Sequence, residues 1–281
     1  MSASPYTFDS PDADVILRAP LQPGSDEVKD FHVHKIILSI ASTVFQDTFS
    51  IPQPPRHTSE DTTLDVIGVT EPANVLETFL QLIYPVDPPV IEDLRLLDDL
   101  FRLADKYAAK GVGEKLRKRL VSPSFLKDDP IGVFAIACRS ELGEEGRLAV
   151  SHTFSIDIIN EISEEHLQTM TTKTYHRLLA KHAFRREQLI SAVDQAVVQL
   201  RPAIGWFCPC ACVEKLKKEI RLKISGRPFL NREILETCFS SMTALGLRCG
   251  ASGTGICIYA PGPGARFLSE IVDILQAMSC S

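Results

Sequence analysis

Tryptophan occurs once in this sequence, and aromatic residues as a whole make up 7% of it. Such a chain offers few stacking platforms for single-stranded nucleic acid. It also lacks a positive balance. With 30 Lys and Arg against 36 Asp and Glu the net charge is -6, so a global affinity for nucleic acid or anionic membrane is not expected. No apolar run approaches the length of a membrane span. The opening "MSASPYTFDSPDAD" has no basic start and no apolar core, so it does not read as a signal peptide. No Gly-x-Ser-x-Gly elbow, His-Glu-x-x-His pair or dinucleotide fingerprint occurs. Adjacent acidic pairs such as Asp98–Asp99 and Glu144–Glu145 diverge on a helix and do not face one substrate. These absences argue against an enzyme and place the chain in the cytoplasm or nucleus, where its eight cysteines are expected as thiols or metal ligands.

What is present divides near residue 120. Residues 1–11 are polar and proline-containing and read as a disordered lead. "DVILRAP" (14–20) and "FHVH" (31–34) alternate as strands around a Pro- and Gly-containing loop, a hairpin with an enlarged connection. Helical spacing starts at Lys35, with Ile36, Ile37, Ile40 and Val44 on one side, and Ser42 is placed to cap a second short helix. "IPQPPRHTSEDTT" (51–63) is a polar, proline-rich excursion, and "LDVIGV" (64–69) is a third strand. Thr70 reads as the cap of a helix that carries Leu76, Phe79, Leu80 and Ile83 on one stripe. A longer helix follows with Leu94, Leu97, Phe101, Ala104 and Ala108 on one face, and "KGVG" (110–113) breaks it. From about 122 onward the pattern is mainly helical, and no repeat of fixed period appears.

Four segments lie in order at telling intervals: "DADVIL", "FHVHKIILSIASTVFQDTF", "LDVIGVTEPANVLETFLQLIYP" and "LDDLFRLADKYAAKGVGEKLRKRL". Together they resemble a BTB/POZ domain over about 110 residues. "DPIGVFAIACRSELGEEGRLAVSHTF" and the cysteine-containing region after it look like fungal, basidiomycete-type BTB proteins. The resemblance implies an α+β fold, a short sheet capped by a helical cluster, over residues 12–121, followed by a mainly α-helical C-terminal region over 122–281. It also implies that Asp14 and Lys35 lie close together in a charged pocket at a dimer face. A charge there needs a partner, or its desolvation goes uncompensated. His34 is given a structural role: packing at the strand-to-helix corner and hydrogen bonding to backbone. Only 13 residues precede Asp14, which leaves little chain for dimerisation by exchange of an N-terminal segment. Where cullin-binding relatives often carry a hydrophobic-x-Glu motif, this chain reads "FSIPQPP", without Glu.

Three C-terminal features invite chemistry. Cys208, Cys210 and Cys212 stand on alternate positions, with Cys238, Cys249 and Cys257 downstream. Zinc takes four such ligands, but C-x-C-x-C lacks the usual two-residue spacer, so small buried residues or thiols are the expected reading and no metal is assigned. "GASGTGICIYAPGPG" (250–264) has the glycines of a phosphate loop without its Lys-Ser/Thr ending, and reads as a loop. "KLRKRL" (115–120) and "EKLKKEIRLKISGR" (214–227) are basic, and read as solvated helix faces and not as nucleic-acid sites. The expected function is non-catalytic protein–protein interaction, with the BTB domain mediating homo- or hetero-association and no cofactor. The alternatives are a substrate adaptor of a cullin-type ubiquitin ligase, whose partner is the cullin, and, from another class, a zinc-binding or enzymatic C-terminal module.

Overall fold

A computed structural model describes residues 6–51, 64–204 and 212–244, together with 269, 272 and 273. The chain divides into two compact units, residues 1–149 and 150–281.

The first unit is built on a three-stranded sheet: β1 (Val15–Pro20), β2 (Val28–Val33) and β3 (Asp65–Gly68), in the order β2-β1-β3. β1 runs antiparallel to β2, with Leu17 opposite Phe31, and parallel to β3, with Leu17 opposite Ile67. Alternation does what the sequence promises: Val15, Leu17, Ala19, Phe31 and Val33 are buried. On the other face Arg18 lies directly opposite Asp30, and its guanidinium donates to both carboxylate oxygens at 2.7 Å.

Helices α1 (Lys35–Ala41) and α2 (Thr43–Ser50) follow β2. Ser42 separates them and caps α2 as expected, its hydroxyl accepting the Phe45 N–H at 3.1 Å while donating to the Tyr107 carbonyl. α3 (Ala73–Ile83), α4 (Leu94–Lys106) and α5 (Lys110–Leu120) supply most of the core, through Leu76, Phe79, Leu80, Leu97, Leu100, Leu116 and Leu120. α6 (Pro123–Asp128), α7 (Pro130–Arg139) and most of α8 (Gly143–Thr153) pack within the same unit, so it runs on beyond the last strand-and-helix motif of the sequence.

Three details differ from expectation. Residues 6–11 of the lead are not disordered: Phe8 is 6% exposed, its carbonyl accepts the His32 N–H at 2.8 Å, and its ring meets Tyr6, Phe31 and Tyr84. Two aromatic rings in a polar stretch outweigh its average composition. The N-cap position of α3 falls at Pro72, which makes no capping bond, and not at Thr70, whose N–H donates to the Glu71 carboxylate at 3.2 Å. The glycines of "KGVG" do not break the helix but form the first turn of α5. The break falls just before, at Ala108, whose φ of 49° is left-handed. The "IPQPPRHTSEDTT" excursion after Ile51, the glycine-rich 250–264 segment and most of the last helix expected by sequence lie outside the described residues.

The second unit is helical where described: α9 (Ile158–Glu161), α10 (Glu164–Thr169), the 33-residue α11 (Thr172–Ile204), α12 (Cys212–Lys223) and α13 (Arg232–Ala244). Leu178, Leu189, Leu216, Ile220, Ile224 and Leu235 form its core. His182, 2% exposed, lies 2.9 Å from the Thr153 hydroxyl. No helix among the described residues is long and apolar enough to cross a membrane.

Candidate interaction surface

The corner where β2 turns into α1 brings together residues far apart in sequence. α1 opens without a capping side chain of its own, since His34 makes no cap bond. Asp14 takes that role from the start of the adjacent strand: its carboxylate accepts the Lys35 backbone N–H at 2.7 Å. The Lys35 ammonium is directed elsewhere, donating to Asp65 on β3 at 2.9 Å. Asp14 and Lys35 are therefore neighbours through a backbone amide, and the charge of Lys35 is met by a residue that local sequence gave no reason to choose.

His34 is pinned from two sides. Its backbone N–H donates to the Tyr84 hydroxyl at 2.8 Å, and the same hydroxyl lies 3.1 Å from the ring Nδ1. Once that hydroxyl donates to Nδ1, the ring proton sits on Nε2, which faces Asp12 at 3.4 Å. Burial pushes the Tyr84 phenol up to about 12, so it stays protonated and keeps this bond. Asp12 is held below the usual carboxylate range by the Ser10 hydroxyl first and His34 second. The His34 ring meets the Tyr84 phenol and Asp12, while its carbonyl accepts the Leu38 N–H at 3.2 Å. Tyr84, Asp12 and Asp65 are the partners that sequence reasoning did not assign. For Tyr84 the signal was its place at the end of the α3 segment.

A second network lies behind this corner. Glu71 is 6% exposed, yet its carboxylate accepts from the Lys106 ammonium and, at 3.0 Å, from the Tyr107 hydroxyl. Burial opposes its ionisation, but Lys106, a backbone N–H and Tyr107 outweigh it and hold the carboxyl below its ordinary range. The network ties the entry of α3 to the end of α4.

From the same corner an apolar stripe faces outward. Ile36 is 66% exposed, Ile40 81% and Val44 37%, while Leu38 and Phe45 turn into the core. Ile51, just past α2, is 63% exposed. Ile36 and Ile40 thus lie one turn apart on α1 and point away from the unit's own core, whereas the helical spacing read on to Val44 is interrupted at Ser42, which puts Val44 on α2. Exposed apolar side chains gathered on one face mark an interaction site more often than scattered ones do.

The basic runs are tied into the structure more than a solvated face requires. Lys115 donates to the Leu82 carbonyl, Arg117 pairs with Glu145, and Arg119 donates to the Ile91 carbonyl while lying 4.8 Å over the Phe125 ring. Lys217 lies between Asp194 and Glu214, and Arg227 pairs with Glu161. Of the cysteines, Cys138 and Cys238 are in no disulfide, and burial raises the Cys238 thiol. No group of three or more His, Cys, Asp or Glu among the described residues is placed to hold a metal ion. Cys208, Cys210, Cys249 and Cys257 lie outside them, as does the side chain of Cys212.

In comparison with known proteins, no curated protein matches the chain. The BTB/POZ domain family model matches residues 14–124. That span takes in all three strands, the His34–Lys35 corner and the exposed stripe, so residues 14–124 are a BTB/POZ domain, a module that binds other proteins.

Proposed function

We propose that this chain is a non-catalytic interaction protein that self-associates through the α1–α2 face of its BTB domain. The observation that carries the reading is the exposure of Ile36 and Ile40, one turn apart on α1, and of Val44 at the start of α2. A twofold pairing of this stripe buries each of these side chains twice, which suits an isologous dimer. Next to the stripe, the Asp14–Lys35–Asp65 corner supplies charges already partnered within the protomer, so they add little desolvation penalty on association. The cullin-adaptor alternative rests on no comparable observation, because the stretch after α2 lacks the hydrophobic-x-Glu motif. Affinity to fungal, basidiomycete-type proteins and placement in the cytoplasm or nucleus belong to the same reading and rest on sequence. Light scattering across a concentration series tests it: the weight-average mass should rise from one chain to two. A mass of one chain at every concentration contradicts it.

A further inference from the structure

The second unit carries a cleft of about 300 Å³ lined by Ser155, Lys223, Arg227, Phe229 and Ile234. Its volume is at the lower end for binding sites of small groups. The loop between α12 and α13 that forms one wall is held at several points. The Arg186 guanidinium donates to the Ser225 carbonyl at 2.9 Å, Arg227 pairs with Glu161, Pro228 and Leu230 are buried, and Asn231 caps α13 by accepting the Ile234 N–H at 2.9 Å. Between the two buried anchors the Phe229 N–H donates to the Arg227 carbonyl at 2.7 Å, a tight turn that leaves the Phe229 ring 44% exposed. A pinned loop that presents an aromatic ring loses little conformational entropy on binding.

Charge indicates the occupant. The Arg227 guanidinium is neutralised by Glu161, whereas the exposed Lys223 ammonium makes no hydrogen bond or ion pair among the described residues. The cleft therefore joins an apolar wall to one unspent positive charge. A single available cation is too little for a nucleic-acid backbone on a chain of net charge -6. A carboxylate next to a large apolar side chain matches it. We propose that this cleft binds a short segment of a partner protein in which an acidic residue flanks a large apolar one. The apolar side chain packs against Phe229 and Ile234, and the carboxylate meets Lys223. None of the lining residues belongs to α1 or α2, and the proposal does not depend on self-association.

Fluorescence anisotropy on the full chain tests the proposal with labelled peptides Gly-Ser-Asp-X-Asp-Ser-Gly, where X is Phe, Leu or Ile. At least one should bind, and replacing X by Ser or both Asp by Asn should weaken it about tenfold or more. Lys223→Glu and Phe229→Ser should each weaken it to a similar degree at unchanged helicity and melting temperature. Lys181→Glu, an equal charge change at an α11 residue that does not line the cleft, should leave it unaltered. The proposal is overturned if none of the three peptides binds, if the Ser peptide binds equally, or if Lys181→Glu weakens binding as much as Lys223→Glu.

Discussion

Replacing Asp14 by Ala removes the one side-chain acceptor at the start of α1, the oxygen 2.7 Å from the Lys35 N–H. Loss of a capping acceptor costs about 1 kcal/mol. Asp14 is exposed, so water reaches the freed amide and the loss stays near that figure instead of rising to the larger penalty of a buried orphan donor. The negative charge near the helix N-terminus adds a few tenths, on the order of 0.3–1 kcal/mol. Because the Lys35 ammonium is paired with Asp65, deleting Asp14 leaves that ion pair in place. Asp14→Asn keeps an oxygen acceptor and should recover half or more of the loss. Urea unfolding of the full chain followed by far-ultraviolet circular dichroism reads both variants as shifts in the first midpoint. If Asp14→Asn is as destabilised as Asp14→Ala, and Lys35→Met matches both, the contact that matters is between charges and the capping argument fails.

Other expectations follow from single residues. Ala108→Gly should raise the melting temperature, since a left-handed φ of 49° costs alanine about 1 kcal/mol that glycine avoids; a lower melting temperature would contradict this. His182 is held down to about 4, first by burial and then by Arg186, against an ordinary value near 6.5. Between these values the unfolded chain binds the extra proton, so stability is full above about pH 6.5 and falls toward pH 4, by no more than about 3 kcal/mol. His182→Gln should flatten that slope in unfolding experiments at a series of pH values, and an unchanged slope would assign it to other groups. Elemental analysis of the purified chain should find no stoichiometric zinc. One zinc per chain, lost together with helicity in Cys208→Ser, would make the C-terminal region a metal-dependent module.

Much of the BTB half was legible because its elements announce themselves locally. Period-two alternation marked β1 and β2, Ser42 marked the cap of α2, and Leu76, Phe79 and Leu80 marked the buried face of α3. What was not legible depends on pairing over distance. Asp65 reaches Lys35 because β1 and β3 pair in parallel across a proline-rich excursion, and no local pattern sets that register. Tyr6 and Phe8 were averaged away in a polar lead. The α4–α5 break was assigned to the glycines of "KGVG", yet it is Ala108, two residues earlier, that adopts the left-handed backbone glycine takes most easily. Periodicity also placed Ile36, Ile40 and Val44 on one face without saying whether that face meets the chain's own core. Amphipathic spacing is the same for a buried face and for one awaiting a partner.

That last ambiguity is the centre of the functional account, and one matched pair of variants resolves it. Ile40 and Ile159 are 81% and 68% exposed, one on the α1 face and the other in the second unit. Burying an isoleucine side chain is worth roughly 1.5–3 kcal/mol, so a twofold interface that buries Ile40 twice gains about 3–6 kcal/mol from this position. Ile40→Asp forfeits that gain and adds a desolvated carboxylate, which should raise the dimer dissociation constant by at least about a hundredfold. Sedimentation velocity across a concentration series should show the unaltered chain and Ile159→Asp as dimers where Ile40→Asp is monomeric; equal association of all three would contradict self-association through this face.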